Sequence, residues 1–359
     1  STTIEGQQYL NFAWCDYLGL NRAPQLRNAA KEAIDRYGTC VSASRMVAGQ
    51  IPLHEELETE IADFIGVDAA LLFVSGHAAN VSTIGTIMTE DDLIIHDEFV
   101  HNSAVIGMRL SRATTKAFRH NDLDHLESLL REHRGSYQNV LVIIEGLYST
   151  EGDLPDLPAV LDLKEQYGAW LMVDDAHGTG VLGKTGRGIM EHAGVDARRV
   201  DIWMGTLSKT LASCGGYIAG SKTLIEILKH TAPGFVFSVG LLPSMTATAL
   251  AALRLIRAEP QRVERLHSHG RLFLKEAAAA GLNTGKSLGL GMLPVIAGDV
   301  IKSMRLWHRV FARDLNPSLI VYPGVPMKAG RLRFFLTSEH TEDEVKQAVK
   351  VTAEELARL

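Results

Sequence analysis

One lysine of this 359-residue chain lies in a segment made almost entirely of hydroxyl-bearing and small residues. Lys209 is flanked by Ser208 and Thr210 within the segment 205–216. A lysine amine is a useful nucleophile near neutral pH when its surroundings favour the neutral form, or when it is already joined to an aldehyde as a Schiff base. Because most lysines in such segments are solvated turn residues, Lys209 indicates Schiff-base chemistry only together with other parts of such a site.

A carboxylate and a histidine follow an apolar run upstream of this lysine. Asp174 ends the run 170–174, and His177 stands three positions further on. Burying a carboxylate is costly unless it meets a cation or hydrogen-bond donors. A protonated pyridine nitrogen is such a cation, and the paired ring can accept electrons released at a substrate's α-carbon. We therefore expect Asp174 to pair with a pyridine nitrogen and His177 to contact the phenolic oxygen; the alternative is that Asp174 only caps the next turn.

Three other polar segments also follow apolar runs. Residues 75–80 open a predicted helix, whose first backbone N–H groups and dipole favour a phosphate. The flat ring of His101 suits stacking on a pyridine, although a single histidine is more often a satisfied core or surface residue. The segment 145–153 adds hydroxyls and carboxylates after a further buried run. A lysine, a phosphate turn, a stacking ring and an Asp-x-x-His pair together indicate pyridoxal 5'-phosphate.

The alternation of short apolar runs with amphipathic stretches predicts the strands and helices that position these segments. Short apolar runs separated by helices are typical of a parallel sheet that is buried on both faces. Ligands of such sheets bind at the carboxyl ends of the strands. We expect strands at 70–74, 93–96, 140–144, 170–174 and 202–204, with helices at 77–88, 101–110 and 158–167. The fold class is therefore α/β.

The sequence pattern changes near residues 237–243, where longer helical stretches replace the alternation of short apolar runs and helices. Helices are predicted at 244–258, 261–280 and 341–357, with strands at 293–296 and 331–336. Helices combined with antiparallel-type strands suggest a second, α+β layer. We expect an N-terminal segment at 1–45, a large cofactor-binding domain at 46–240 and a small C-terminal domain at 241–359.

In this combination of motifs the chain resembles the fold-type I pyridoxal-phosphate enzymes and, within them, the α-oxoamine synthase family. The resemblance runs from residues 16–20 to 332–337, and its most specific motifs are 173–180 and 205–209. It implies a large domain with a mostly parallel seven-stranded sheet, a smaller C-terminal α+β domain, and a homodimer with a shared active site. The chain departs from the family pattern at three positions: Cys15 stands where Asn is usual, Gly146 where Ser is frequent, and Asn102 where Ala is common.

The resemblance assigns a role to each candidate residue. Lys209 would form the Schiff base and move the proton, Arg333 would bind the amino acid's carboxylate through a bidentate guanidinium, and Ser238 would reach the phosphate of the neighbouring subunit. His101 is a candidate donor to the thioester oxygen as charge develops there. The expected catalytic residues are Lys209, His101, Asp174, His177 and Ser149. The expected cofactor-binding residues are Ser75, Gly76, His77, His101, Glu145, Ser149, Asp174, His177, Thr206, Ser208, Lys209 and Ser238. The expected substrate-binding residues are Arg333, Asp16 and Tyr17, and no metal is expected.

The implied reaction is a decarboxylative Claisen-type condensation. A small amino acid (glycine, alanine or serine) would react with an acyl thioester of coenzyme A or of an acyl carrier protein and give an α-amino ketone. Another fold-type I reaction, such as that of an aminotransferase or an aldolase, stays open as an alternative. A non-catalytic partner subunit is a third possibility, but such subunits typically lack the lysine that this chain has.

Composition excludes several classes of function. The chain has 46% hydrophobic and 22% charged residues and a net charge of -6. With no basic stripe to neutralise phosphates, a nucleic-acid partner is not expected. No apolar run reaches the roughly 18 to 20 residues that span a bilayer. Three scattered cysteines, Cys15, Cys40 and Cys214, form neither a disulfide framework nor a zinc motif and favour a reducing, cytoplasmic location.

Overall fold

The computed structural model describes all residues from Ser1 to Leu359. The strands are β1 (Thr2–Ile4), β2 (Gln7–Phe12), β3 (Ala69–Phe73), β4 (Leu93–Asp97), β5 (Thr114–Phe118), β6 (Val140–Glu145), β7 (Trp170–Asp174), β8 (Ile202–Thr206), β9 (Gly216–Gly220), β10 (Met292–Gly298), β11 (Leu315–Ile320) and β12 (Gly330–Phe335). The α-helices are α1 (Pro24–Tyr37), α2 (Pro52–Ile65), α3 (Gly76–Ile87), α4 (Asn102–Ser111), α5 (Leu123–His133), α6 (Leu157–Tyr167), α7 (Ile189–Ala193), α8 (Lys222–Thr231), α9 (Pro233–Val236), α10 (Pro243–Ala258), α11 (Gln261–Ala279), α12 (Val300–Phe311) and α13 (Glu342–Leu356). None of these helices is both long and apolar enough to cross a membrane.

A seven-stranded sheet forms the centre of one compact unit, which comprises residues 20–147 and 154–259. Its strand order is β3-β9-β8-β7-β6-β4-β5. All neighbouring strands are parallel except that β9 runs antiparallel to both β3 and β8. The predicted α/β fold with a mostly parallel seven-stranded sheet is thus confirmed. The inner strand β6 is buried along its whole length, as expected for a strand between two layers of helices.

The register of the inner strands brings their polar carboxyl ends together. Glu145 at the end of β6 is paired with Asp174 at the end of β7, and Asp174 is in turn paired with Met204 on β8. Residues that are far apart in the sequence therefore lie side by side at one edge of the sheet. This edge is where the sequence placed the candidate site.

Two strands of this sheet are not among those predicted from the sequence. The strand β5 lies at the sheet edge and alternates half-buried or exposed residues, so it lacks a continuous apolar run. The strand β9 begins and ends with glycine, a residue that local patterns assign to turns. Both strands are specified by pairing with their neighbours rather than by local sequence.

The other compact unit comprises residues 1–19, 148–153 and 260–359. Its five-stranded sheet has the order β1-β2-β11-β12-β10. The predicted strand and helix signals at 293–296, 331–336 and 341–357 correspond to β10, β12 and α13. The helix α13 begins with a capping box, in which Thr341 and Glu344 exchange side-chain to backbone hydrogen bonds.

The division into units differs from the one expected at residues 45 and 240. The helix α10 lies with the larger sheet, since Arg254 on its outer face donates to Glu56 and Glu60 of α2 and its alanine-rich inner face is buried. The first strands belong instead with the C-terminal part of the chain, because β2 pairs in parallel with β11, with Leu10 opposite Leu315. A division based on local sequence patterns can only follow the order of the chain. The contact between α10 and α2 and the pairing of β2 with β11 leave no local signal in the sequence.

Candidate active site

A cavity of about 340 Å³ opens at the carboxyl ends of the inner strands of the seven-stranded sheet. It brings together ten of the predicted residues: Ser75, Gly76, His77, His101, Glu145, Asp174, His177, Thr206, Ser208 and Lys209. Four lining residues were not predicted: Asn80, Ser103, Ala176 and Met204. Two larger clefts in the same unit, of about 500 and 620 Å³, are lined by neither a lysine nor a histidine. The smaller cavity is therefore the candidate active site on chemical grounds.

Lys209 lies on the loop that follows β8, and the loop is tied at both ends. The Ala212 N–H donates to the Lys209 carbonyl at 2.9 Å, and the Leu207 N–H donates to the Gly215 carbonyl at 3.0 Å. The hydroxyls of Thr206 and Ser208 lie 2.8 Å apart. These bonds hold the lysine backbone in place while its side chain stays half-buried.

Asp174 is a buried carboxylate with N–H donors on both oxygens. It is 7% exposed, and it accepts hydrogen bonds from Asn80 Nδ2 at 2.8 Å and from the Ala176 N–H at 3.1 Å. Donors of this kind offset the cost of burying the charge. Its position on the cavity wall leaves the carboxylate able to meet a cationic partner there.

The neighbouring Asp175 has the opposite environment. Its Oδ2 accepts from the Ile189 N–H at 3.1 Å, whereas Oδ1 is buried without a partner. Burial, with a further contribution from the charge of Asp174, raises the pKa of Asp175 well above its ordinary value. A Cβ on Gly146 would stand only 2.0 Å from Oδ1 of Asp175, which accounts for glycine at that departure from the family pattern. The two aspartates therefore serve different purposes, and Asp174 is the one that faces the cavity.

The N-terminus of α3 lies at the cavity, where the sequence predicts a phosphate turn. Ser75 caps the helix, and its Oγ accepts from the Ala78 N–H at 3.0 Å. The N–H groups of Gly76 and His77 open the helix and have no acceptor within it. A Cβ on Gly76 would stand 3.1 Å from Thr206 Oγ1. Backbone donors and the Thr206 hydroxyl thus share one corner of the cavity.

His101 and Glu145 complete the wall. His101 caps α4, and its Nδ1 accepts from the Ser103 N–H at 3.2 Å and lies 2.7 Å from Ser103 Oγ. Ser103 Oγ is in turn 2.9 Å from Asn80 Nδ2. Glu145, only 4% exposed, ends β6. Nothing in the sequence marked Asn80 or Ser103 as functional; the signal, in retrospect, is an amide in a helix otherwise made of small and apolar residues.

Arg333 and Ser149 belong to the smaller unit and contact each other there. Arg333 Nη1 donates to the Ser149 carbonyl at 3.1 Å, and Nη2 donates to Ser318 Oγ at 3.2 Å. The guanidinium lies 5.1 Å above the Phe335 ring, and its Nε is buried without a partner. Burial lowers the pKa of Arg333, so an anionic ligand would restore part of the lost solvation.

Asp16 and Tyr17 lie near the start of the smaller unit. The Asp16 carbonyl accepts from the Gly19 N–H at 3.0 Å. The Tyr17 ring is fully buried and packs edge-on against Phe335, and burial raises its pKa well above the ordinary value. The ring therefore contributes to packing in the smaller unit, and the substrate contact of Tyr17 stays a prediction.

Ser238 does not line the cavity of its own chain. It lies after α9, between Phe237 and Val239, whose side chains are 87% and 41% exposed. The segment is tied to residues 44–49 by a bridge between Ser44 and Val239.

The chain is similar in sequence to known proteins over almost its whole length. The sequence profile of the family described as aminotransferase class I and II matches residues 7–351. An 8-amino-7-oxononanoate synthase of Symbiobacterium thermophilum is 38% identical over 98% of this chain and 89% of that protein. The 8-amino-7-oxononanoate synthase 1 of Bacillus subtilis is 38% identical over 100% of this chain and 92% of that protein.

Solved structures show the same likeness. A serine palmitoyltransferase of Sphingomonas wittichii superposes with a TM-score of 0.94 at 29% identity, over 98% of this chain and 88% of that one. An 8-amino-7-oxononanoate synthase of Francisella tularensis superposes with a TM-score of 0.85 at 25% identity, over 98% of each chain.

Proposed function

Because the chain belongs to the α-oxoamine synthases of the aminotransferase class I and II family, we propose that it condenses a small amino acid with an acyl thioester. The reaction releases carbon dioxide and the thiol and leaves an α-amino ketone. The names of the relatives describe both sides of this chemistry: one names an amino-oxo acid as product, the other a palmitoyl transfer involving serine. The observation that carries the proposal is the single cavity that joins Lys209, Asp174, His177 and His101.

The cavity fits pyridoxal 5'-phosphate as the cofactor. The start of α3 presents the backbone N–H groups of Gly76 and His77 at the cavity, which suits a phosphate, and the hydroxyls of Thr206 and Ser208 lie 2.8 Å apart on the wall of the same cavity. Asp174 supplies the carboxylate that a pyridine nitrogen needs, and Lys209 supplies the amine that joins the aldehyde. When bound in this way, the cofactor withdraws electrons from the α-carbon of the amino acid.

We assign the remaining steps to side chains of this protein. With the cofactor bound, Lys209 Nζ would remove the α-proton of the amino acid, and Asp174 would pair with the pyridine nitrogen. His177 would contact the phenolic oxygen, and His101 would donate to the thioester oxygen as negative charge develops on it. Arg333 binds the amino acid's carboxylate, a role supported by its buried, partly unpartnered guanidinium. Ser149 and Glu145 contribute polar contacts to the cofactor and the substrate.

A matrix of substrates tests this function. Glycine, alanine and serine are each incubated with short and long acyl thioesters of coenzyme A and of an acyl carrier protein, and products are identified by mass. One pair should give an amino ketone whose mass equals the sum of the substrates less the thiol and carbon dioxide. A 2-oxo acid would identify an aminotransferase, and cleavage of serine to glycine would identify an aldolase. No turnover by cofactor-loaded protein with any pair would favour a non-catalytic subunit.

We also propose that the protein is a homodimer in which Ser238 reaches the phosphate site of the other subunit. Phe237 and Val239 on either side of Ser238 have exposed side chains, and Val47, 84% exposed, belongs to the segment that the bridge between Ser44 and Val239 ties to them; a second copy would cover these apolar side chains. Sedimentation analysis should give twice the mass of the chain. Ser238→Ala should weaken cofactor binding without changing that mass, and a monomer with full cofactor affinity would overturn the proposal.

A cytoplasmic location is the expected setting. Cys40 and Cys214 are exposed thiols, and such thiols persist in a reducing compartment. Fractionation of cells that express the full-length protein tests this expectation directly.

A further inference from the structure

Four side chains of the larger unit form one continuous hydrogen-bonded chain. Asp174 Oδ2 accepts from Asn80 Nδ2 at 2.8 Å, the same Nδ2 lies 2.9 Å from Ser103 Oγ, and Ser103 Oγ lies 2.7 Å from His101 Nδ1. Asn80 is 0% and Ser103 1% exposed, so water does not compete for these bonds. The chain links the carboxylate proposed for the pyridine nitrogen with the histidine proposed for the thioester.

The direction of each bond follows from the chemistry of its atoms. Asp174 already accepts from the Ala176 N–H, and an ionised carboxylate can only accept. The Asn80 amide must therefore present its NH₂ group, since Oδ1 in that place would oppose the Asp174 carboxylate, which can only accept. Consistent with this orientation, Nδ2 makes both bonds and Oδ1 is buried without a partner. The second proton of Nδ2 is then donated to Ser103.

The orientation of the Asn80 amide determines that the Ser103 hydroxyl donates to His101. Because its Oγ accepts from Asn80, its own proton is available for His101 Nδ1. A second, independent donor reaches the same nitrogen, since the Ser103 backbone N–H also donates to Nδ1 at 3.2 Å. A backbone N–H cannot act as an acceptor, so Nδ1 carries no proton. In a neutral imidazole the proton then resides on Nε2.

We propose that Asn80 and Ser103 are positioning residues that transmit the orientation set by the Asp174 carboxylate to His101 and lock its imidazole with the proton on Nε2. The lock makes His101 a hydrogen-bond donor through Nε2 before any substrate arrives. The hydrogen-bonded chain also couples the two ends of the site. If the Asp174 carboxylate turned away, the Asn80 amide would no longer be fixed, and His101 would no longer be held in one tautomer. This inference deepens the proposed function, and its kinetic consequence rests on that function.

The tautomer is measured by nitrogen-15 NMR of histidine-labelled protein, with His101→Gln used to assign the His101 signals. The wild-type protein without cofactor should show an unprotonated Nδ1 and a protonated Nε2. Asn80→Ala frees the Ser103 hydroxyl to accept from Nδ1, and Ser103→Ala removes that hydroxyl, so each variant should give a mixture of both tautomers although the Ser103 backbone N–H donor remains in both. Ser103→Thr, which keeps a hydroxyl, should restore the wild-type signals. The matched control is Thr83→Val on the same helix, since Thr83 is buried and its Oγ1 has no partner.

The kinetic arm uses the same variants as cofactor-loaded enzymes. Asn80→Ala should lower kcat/KM about tenfold, the effect of about one lost buried hydrogen bond, whereas Thr83→Val should leave it unchanged. A proton on Nδ1 in the wild-type protein, or identical signals in wild type and Asn80→Ala with thermal unfolding unchanged, would overturn the inference. The NMR measurement needs neither cofactor nor substrate, so the tautomer assigned to His101 can be correct even if the proposed reaction is wrong. Conversely, a different tautomer of His101 would not change which product the enzyme forms.

Discussion

Gly216 at the start of β9 lies directly against Gly76 at the start of α3: a Cβ on Gly216 would stand 2.5 Å from the Cα and 2.6 Å from the N of Gly76. Only hydrogen at position 216 lets the strand support the turn whose N–H groups are proposed to bind the phosphate. The close approach therefore ties the packing of the sheet to the phosphate corner of the cavity.

The first prediction follows from this contact. Gly216→Ala should displace the start of α3, destabilise the protein by about 1 to 3 kcal/mol, as overpacking does, and lower the affinity for pyridoxal phosphate about tenfold or more. The matched control is Gly135→Ala, because a Cβ there meets no atom within 4 Å. Urea unfolding and titration of the cofactor's absorption band measure the two effects. Equal cofactor affinity in both variants would contradict the proposed phosphate position.

A second prediction separates the two adjacent aspartates. Asp174→Asn removes the charge that pairs with the pyridine nitrogen and should lower kcat about a hundredfold or more. Asp175→Asn should cost little activity, because burial raises the pKa of Asp175 and a neutral amide resembles the protonated acid. Steady-state kinetics on both cofactor-loaded variants provide the comparison. A larger loss in Asp175→Asn than in Asp174→Asn would reverse the assignment.

These residues also show what local sequence can and cannot predict. Asp174 is recognisable because it ends an apolar run, and in a parallel sheet the ends of such runs meet at one edge; Lys209 is recognisable because it lies among hydroxyl-bearing and small residues. Asn80 and Ser103 carry no such signal, because their contact arises only when α3 and α4 lie beside each other. The N-terminal strand β2 likewise was not assigned to the smaller unit, since its partner β11 stands some 300 residues away.

A third prediction concerns the amino acid's carboxylate. Arg333→Lys loses the bidentate fork of the guanidinium and should lower kcat/KM for the amino acid about tenfold to a hundredfold, chiefly through KM, with little change in KM for the thioester. Arg254→Lys, an exposed arginine of α10, is the control. A loss confined to the thioester would place Arg333 on the other substrate.

A fourth prediction concerns stability in acid. His340 is 8% exposed; its Nδ1 accepts from the Thr337 N–H, and its Nε2 bonds to the Asn11 carbonyl. Burial lowers the pKa of His340 to about 4, below the value of about 6.5 in an unfolded chain. Between these values the unfolded state holds the proton and the folded state does not. The free energy of unfolding therefore falls as the pH falls through this window.

The expected loss from His340 is about 2 kcal/mol between pH 7 and pH 5. Urea unfolding at both pH values measures it in the wild type and in His340→Gln, which cannot titrate. The variant should be less stable at pH 7 but should lose less stability on acidification. Equal losses in the two proteins would show that His340 does not contribute to the pH dependence.

The most direct test of the proposed reaction is the fate of the amino acid's carboxyl carbon. The substrate pair that gives a product is repeated with carboxyl-labelled amino acid, using the wild type and Lys209→Ala. The wild type should release one labelled carbon dioxide and one free thiol for each amino ketone, the ketone should carry no label, and Lys209→Ala should release neither. Label retained in the product, or full turnover by Lys209→Ala, would contradict the proposed reaction.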